Sequence, residues 1–449
     1  MKLGWKILMV VLMTLAILAP LTMIRGVIQE RQEYREQAVY RVSRGYAGPQ
    51  GIAGPVLTVP YVETVEVEEK GINGAIRTVL REREGAWTYF PESLELTGTI
   101  APSTRNVGLH EVRVYELGAQ IAADFDIAIP ANPEPQHPRR IGRPYLSIGI
   151  ADVRGIAGTP RLRIGGRDTP LRQGLGGAGG SGLHARLPAP SAGQALALQV
   201  RLDLALGGTE SLAIAPLAGR NRMVLDSSWP HPQFNGDFSP RSRALDAGGF
   251  RAEWEISSLA SNAQAQYLAG AQLPGPGPGP HTSGELDAIG LSLVDPVNPY
   301  SQADRASKYG LLFVLLTFVG FFMFELIRQL RIHPIQYGLV GLALAIFFLL
   351  LVSLSEHVAF GLAYLVAAAA CIGLLGYYLA HVLRSRARGA GFAAMLALLY
   401  AALYGLLISE DNALVLGAGL LFAILAAIMV VTRRVDWYQL AAAAAPQRR

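Results

Sequence analysis

Six stretches of the chain are apolar over the length of a membrane helix, and the region between the first and second reads as strands. A helix needs about 20 mainly apolar residues to cross a bilayer. The first stretch is residues 7–24, behind Lys2 and Lys6. The others are 309–327, 335–354, 358–382, 391–408 and 413–432. A cleaved signal peptide would start like the first stretch. Here the apolar run is long and ends in Met23-Ile24-Arg25 without an Ala-x-Ala site, so residues 1–27 are expected to be an uncleaved signal anchor. Pro20 is tolerated near the end of such a helix.

Residues 28–308 carry a different period. Thr64-Val65-Glu66-Val67-Glu68 alternates polar and apolar, Asn73-Gly74 supplies a turn, and residues 76–81 return, which predicts a hairpin. Further β-like runs are 93–100, 111–117, 120–129, 195–206, 210–214, 223–226 and 250–256. This spacing suggests sandwich-like sheets. Residues 27–42 are the main exception. They continue from the first apolar helix with Glu30, Arg31, Glu33, Arg35 and Glu36, and predict a solvated helical stalk.

The expected fold is therefore a membrane protein in three parts: an N-terminal anchor helix, a large β-rich domain over 28–308 and a C-terminal bundle of five helices over 309–432. A tail, 433–449, follows. The loops orient it. Arg328 and Arg331 follow the second apolar stretch, Arg384, Arg386 and Arg388 the fourth, and Arg433 and Arg434 the sixth. The intervening loops, Ser355-Glu356-His357 and Ser409-Glu410-Asp411-Asn412, hold neither Lys nor Arg. Cationic loops stay cytoplasmic. Both termini are thus expected in the cytoplasm and 28–308 outside, with the lipid bilayer as the first partner. Tyr309, Tyr377, Tyr378, Trp437 and Tyr438 suit interfacial anchoring.

Charge supports this division. Charged residues make up 16% of the 449, against roughly 25% in soluble domains. Only nine fall between Tyr309 and Thr432, so a single soluble enzyme domain and a disordered chain are both excluded. The pI of 9.3 invites a nucleic-acid partner, yet residues 25–308 sum to −1 and the basic excess lies in the apolar part. It reads as an orientation signal, and no nucleic acid is expected.

Catalytic and metal signatures are sparse. The chain has no Gly-x-Ser-x-Gly elbow, no His-Glu-x-x-His and no Walker loop. Its eight histidines are all more than twenty residues apart, and Cys371 is the single cysteine, which reads as a buried packing residue. No cofactor and no metal are expected, and the chain is read as a non-enzyme. The Gly-rich run 174–182 lacks the Lys-Ser/Thr of a phosphate cradle and reads, like the Pro-Gly run 274–280, as a flexible insertion.

The polar residues of the apolar part are the candidates for function. Glu325 lies three residues before Arg328, so the two can share a helix face as an interfacial ion pair. The alternative is a polar site inside the bundle, because ionisable groups there are costly. Glu356-His357 reads as a helix start in water or as a proton- or cation-responsive site. His333-Pro334 reads as a turn before the next helix, with Gln336 and Tyr337 just beyond. Arg305, Lys308 and Tyr309 stand where the β-rich domain meets the bundle and are candidates for coupling them. In the external region, Trp229-Pro230-His231-Pro232-Gln233-Phe234 is stiffened by two prolines. With Trp254 it reads as packing, or as a ligand or partner contact.

Several segments together resemble the CreD family, cell-envelope-integrity proteins of the Gram-negative inner membrane. They are Gly48-Pro49-Gln50 with residues 54–61, residues 228–236 with 249–254, and above all the run from Tyr300 through Arg305-Ala306-Ser307-Lys308-Tyr309, Phe324-Glu325, Arg331-Ile332-His333-Pro334-Ile335-Gln336-Tyr337 and Ser353-Leu354-Ser355-Glu356-His357. The resemblance spans nearly the whole chain, apart from the Gly-rich and Pro-Gly runs. It implies a multi-pass inner-membrane protein with a large periplasmic domain. It also implies roles in envelope maintenance, in a two-component response to envelope or metabolic state, and in tolerance of envelope-directed toxins or β-lactams. It supplies no reaction and no catalytic residues. The expected function is binding, scaffolding or signal relay with an envelope component or protein as partner. Transport or lipid handling is the alternative and a periplasmic hydrolase is third. Oligomeric state is not encoded in any of these patterns.

Overall fold

The computed structural model describes residues 3–70, 76–132, 138–177, 179–273, 284–293, 299–328, 333–382, 385–409 and 413–433. The chain forms two compact units, Glu36–Pro296 and Met1–Arg35 with Val297–Arg449. An N-terminal apolar helix, a large β-rich central region and several C-terminal apolar helices follow one another along the sequence.

The discontinuous unit is helical. Helix α1 spans Leu3–Gly45 and continues unbroken through Pro20 and into the second unit. Among the described residues, four helices are long and apolar enough to cross a membrane: Val11–Gly45, Ile335–Ser355, Phe360–Val382 and Arg386–Ile408. A fifth is added if the bent pair Tyr300–Gly310 and Leu312–Phe322 counts as one span, and Val415–Ala426 is apolar but shorter. Aromatic rings fill the core. Phe347 lies 4.7 Å from Tyr400 and 5.3 Å from Tyr364, and Phe321 lies 5.3 Å from Phe392. Close approach uses small residues. A Cβ at Gly341 would come within 2.7 Å of Ile17 and 2.8 Å of Phe318, so only glycine lets those side chains reach this backbone. Cys371 is buried, and its Sγ lies 3.5 Å from the Ala343 carbonyl oxygen.

The second unit is a pair of sheets on one core. In chain order its strands are β1 Gln50–Lys70, β2 Ile76–Tyr89, β3 Ser93–Val107, β4 His110–Ala128, β5 Arg140–Ile141, β6 Tyr145–Ile150, β7 Ile156–Ile164, β8 Arg167–Thr169 and β9 Arg172–Gln173. They continue as β10 Gly182–Arg186, β11 Ala195–Thr209, β12 Ser211–Ala215, β13 Arg220–Ser227, β14 Gln233–Gly236, β15 Ser242–Asp246, β16 Gly249–Ser257 and β17 Ile289–Ser292. A short helix, α2, spans Ala263–Leu268. One sheet has nine strands in the order β14-β17-β12-β1-β6-β10-β9, with β2 and β5 also paired to β1. The other has eight, in the order β15-β16-β13-β3-β4-β11-β7-β8. Most pairs are antiparallel, while β1–β12 and β3–β13 are parallel.

Alternation explains the shared core. Leu94, Leu96 and Ile100 of β3 face inward with Ile121, Ala123 and Phe125 of β4, against Ile52, Leu57, Leu146 and Ile148 of the other sheet. The hairpin of β1 and β2 pairs in register from Leu57↔Tyr89 out to Lys70↔Ile76; its turn, Asn73-Gly74, lies outside the described residues. Two expected strands, 111–117 and 120–129, are one. Gly118 does not break the pairing because β3 and β11 flank it on both sides and it faces outward into open space.

The Gly-rich run is expected to be a flexible insertion, and the structure packs its described ends, Gly174 to Gly176 and Gly182, while Gly177, Gly179 and Gly180 are exposed. The Gly174 N–H donates to the Gly182 carbonyl at 2.8 Å, and the His184 Nδ1 lies 2.9 Å from the Gly174 carbonyl oxygen. Gly176 has φ +83° and lies under the Tyr145 ring, where a Cβ would fall 2.6 Å from the ring. Glycine is required there by both backbone and space. The Pro-Gly run 274–280 lies outside the described residues.

A clamp fixes where α1 becomes β1. The Arg154 guanidinium donates to the carbonyls of Arg44 at 2.9 Å and Ser43 at 3.4 Å. Those carbonyls end a helix and have no intrahelical partner. Asp152 accepts from Arg154 Nη2 at 2.6 Å and from the Gly48 N–H at 2.9 Å. The Gln50 amide donates to the carbonyls of Asp152 at 3.0 Å and Gly207 at 2.8 Å. Arg154 beside it, helped by the Gly48 and Arg154 amides and opposed by burial, holds the Asp152 carboxyl below the usual carboxylate range.

A folded-state pKa below the unfolded one stabilises above the unfolded value and is lost as pH falls through the folded value. Asp152→Asn should therefore cost about 1–2 kcal/mol at neutral pH. It should also flatten the acid limb of a stability profile, read by thermal unfolding of the solubilised protein at pH 2 to 7. An unchanged acid limb would remove the clamp as its source.

Candidate functional site

Helix α3 spans Pro299–Arg328 and α4 spans Pro334–Ser355, and a carboxylate meets a tyrosine at both ends of this pair. At one end Glu325 is 4% exposed, and the Tyr337 hydroxyl donates to its Oε2 at 2.9 Å. The local sequence positions Tyr337. His333 caps α4, its Nδ1 accepting from the Ile335 N–H at 3.3 Å, while the Gln336 side chain accepts from the His333 N–H at 3.1 Å. Pro334 occupies the first turn, where a missing N–H costs nothing. Phe318 and Phe321 close over Tyr337 at 5.7 and 4.6 Å. The structure thus brings Tyr337 to Glu325, while His333 and Gln336 form the cap of α4 that precedes Tyr337. Arg328, the sequence partner proposed for Glu325, has a side chain outside the described residues.

At the other end Glu356 follows α4 and its side chain is 7% exposed. Its Oε1 accepts from the Tyr300 hydroxyl at 3.2 Å and lies 3.5 Å from Arg31 Nε on α1. Nearby on α1, Arg25 donates to the Ser307 carbonyl at 3.0 Å. His357 stands apart, exposed, with its Nδ1 3.1 Å from the Ser353 carbonyl oxygen. Arg305 and Lys308 lie on α3 itself; Lys308 pairs with Asp304 at 2.8 Å, one helical turn away. Tyr309 packs on the aromatic core. Sequence reasoning missed Tyr300 and Arg31 as partners of Glu356. Arg31 lies in a mixed-charge stalk that reads as solvated, and only the tyrosine at the start of the family-like run hinted at Tyr300.

The aromatic motif of the β unit is packed on its sheet. Trp254 is 1% exposed and donates from Nε1 to the Phe238 carbonyl at 3.1 Å. Phe234 meets Trp254 and Phe250 edge-on, each at 5.7 Å. Trp229 donates to the His231 carbonyl at 2.9 Å, and the Arg113 guanidinium covers its ring at 4.1 Å. Among the described residues, no group of three His, Cys, Asp or Glu side chains is placed to hold a metal ion.

Comparison with known proteins adds two findings. The family model described as "Inner membrane protein CreD" matches residues 2–438. A curated protein of that description from Escherichia coli (strain K12) is 35% identical over 437 residues, covering 97% of this chain and 93% of its own. The chain belongs to the CreD family of inner membrane proteins.

A solved structure of an M1 zinc metallopeptidase mutant from Deinococcus radiodurans, bound to a Tyr-Ser-Ala substrate, is 8% identical, covers 37% of this chain and 38% of its own, and has a TM-score of 0.17. That likeness is too slight to bear on fold or activity. In this CreD-family chain the segments that carry the resemblance coincide with structural joints. Gly48 and Gln50 hold the α1–β1 clamp, residues 333–337 build the cap beside Glu325, and Glu356 ends α4.

Three measurements test this packing and these joints. Trp254→Ala should cost about 3–5 kcal/mol in unfolding free energy, and Trp229→Ala about 1, because only the first leaves a large buried void. Equal costs would contradict the packing. Tyr337→Phe leaves a buried carboxylate short of a donor and should cost about 1.5–3 kcal/mol. A double-mutant cycle of Arg31→Ala with Glu356→Gln should give about 1 kcal/mol of coupling or less, because the Arg31 side chain is 42% exposed.

Proposed function

We propose that this CreD-family chain supports envelope integrity from the Gram-negative inner membrane by binding and relay rather than by catalysis. In this reading the chain crosses the membrane six times, with the N- and C-termini cytoplasmic and residues 28–308 in the periplasm. The alternation of Arg-bearing and cation-free loops supports that orientation, and the name of its relative from Escherichia coli supports the inner membrane as its place. The β-rich domain engages an envelope component or protein, and the bundle anchors it and passes its state inward.

The observation that carries this reading is the continuity of α1. One helix holds Ile17, Leu21 and Ile24 in the apolar core, pairs Arg31 with Glu356 and ends at carbonyls held by Arg154. The clamp and the apolar core therefore share one helix. Arg305, Lys308 and Tyr309 would act beside it at the start of α3. Glu325, His333, Gln336 and Tyr337 would set the inner end, and Glu356 with His357 the outer. Trp229, His231, Phe234 and Trp254 would hold the shape of the binding domain.

A second reading, transport or lipid handling by the bundle, is favoured by one observation, the buried carboxylate of Glu325 among apolar helices. The two separate cleanly. Under the relay reading, Glu325→Gln keeps its hydrogen bond to Tyr337 and retains envelope function at normal protein level. Loss of function at normal abundance would favour transport. Reporter fusions at Arg386 and Asp411 should report cytoplasm and periplasm respectively, and the reverse would overturn the six-span topology. Crosslinking in living cells from the β domain should capture an envelope partner.

A further inference from the structure

On one side of the β unit both sheets stop, and between their last strands lies a cleft of about 680 Å³. The chain crosses it from β8 to β9 through Pro170 and Leu171. Its floor is apolar, made by Ile156, Leu162, Leu171 and Leu183, which also belong to the core or pack on it. Its charged lining is Arg161, Arg163, Arg172 and Asp168. Arg163 lies 3.2 Å from Asp168, so the rim keeps a net charge of +2. Arg161 comes from β7 of one sheet and Arg172 from β9 of the other.

We infer that this cleft binds a single-chain lipid with an anionic headgroup, the chain on the leucine floor and the headgroup on Arg161 and Arg172. The volume suits a small ligand, since such sites run from roughly 300 to 1,000 Å³ and are mostly apolar with a few converging polar groups. Guanidinium forks match carboxylate and phosphate oxygens two at a time. A neutral lipid would leave that rim unused and a cationic one would be repelled by it.

An extended peptide fits less well. Among the described lining residues, the long strand edge at the cleft is the side of β7 before Leu162, since β8 pairs with Leu162–Ile164. Within that edge Pro160 has no N–H to offer, and Gly158 at φ +65° breaks the extended path. Strand addition is blocked there, while an acyl chain needs no hydrogen bonds. The inference requires neither the six-span topology nor the relay reading.

The test uses the full-length protein in nanodiscs of phosphatidylcholine, with a photoreactive diazirine analogue of hexadecanoic acid as probe. Adducts mapped by mass spectrometry should fall within residues 156–173 and at Leu183. Dodecanoate and dodecyl phosphate should both compete and dodecanol should not. Arg161→Glu with Arg172→Glu, two exposed positions that the fold does not need, should lower adduct yield in the cleft about tenfold, equivalent to about 1.4 kcal/mol. Adducts on the membrane helices should persist in that variant as an internal control. Four results would overturn the inference: adducts confined to the helices, equal competition by dodecanol, unchanged yield in the arginine variant, or displacement by an acidic peptide but not by dodecanoate.

Discussion

A helix that ends must surrender its last carbonyls to some other donor, and in this protein Arg154 supplies two of the needed bonds. The consequence reaches well beyond the cap. Asp152, held by the same guanidinium, grips the Gly48 amide, and Gln50 bridges to Gly207. The start of β1 is thereby set against β11. Because β1 pairs with β2, β5, β6 and β12, its register propagates into most of the nine-stranded sheet. Side chains on a strand alternate between faces, so a slip of one residue at Gln50 would turn Ile52 out of the core.

The helical unit obeys a related constraint with different means. Its middle is filled by rings and small residues, while two buried carboxylates stand at the two ends of α3 and α4. Glu325 with Tyr337, and Glu356 with Tyr300, each satisfy a carboxylate through a hydroxyl on the neighbouring helix. A tyrosine suits this position because its ring packs in the apolar layer and its hydroxyl reaches the polar one. Each link spans from one helix to the other, so both resist sliding of α3 past α4.

Much of the fold was legible as period. The change from apolar runs to alternation marks where helices give way to strands, and the residue types decide this locally. The Glu325 end of the α3–α4 pair was partly legible, because His333, Pro334, Gln336 and Tyr337 are neighbours in sequence and a capping box is a local device. The Glu356 end was not. Arg31, Tyr300 and Glu356 come from three helices, and nothing near Arg31 distinguishes it from the other charges of a solvated stalk. The packing of the Gly-rich run under Tyr145 was hidden for the same reason, as was the arginine-rimmed cleft, whose walls come from different sheets.

By itself the sequence determined the apolar segments, the alternation of the strands and the imbalance of cations among the loops, since each depends on residues within a few positions of one another. The tertiary structure alone decided which strand lies beside which, which carboxylate finds which tyrosine, and where two sheets end together to leave a cleft. These outcomes depend on groups brought close by loop closure, and the cost of closing a loop grows only slowly with its length. Distance along the chain therefore carries little information about which of many possible partners will meet.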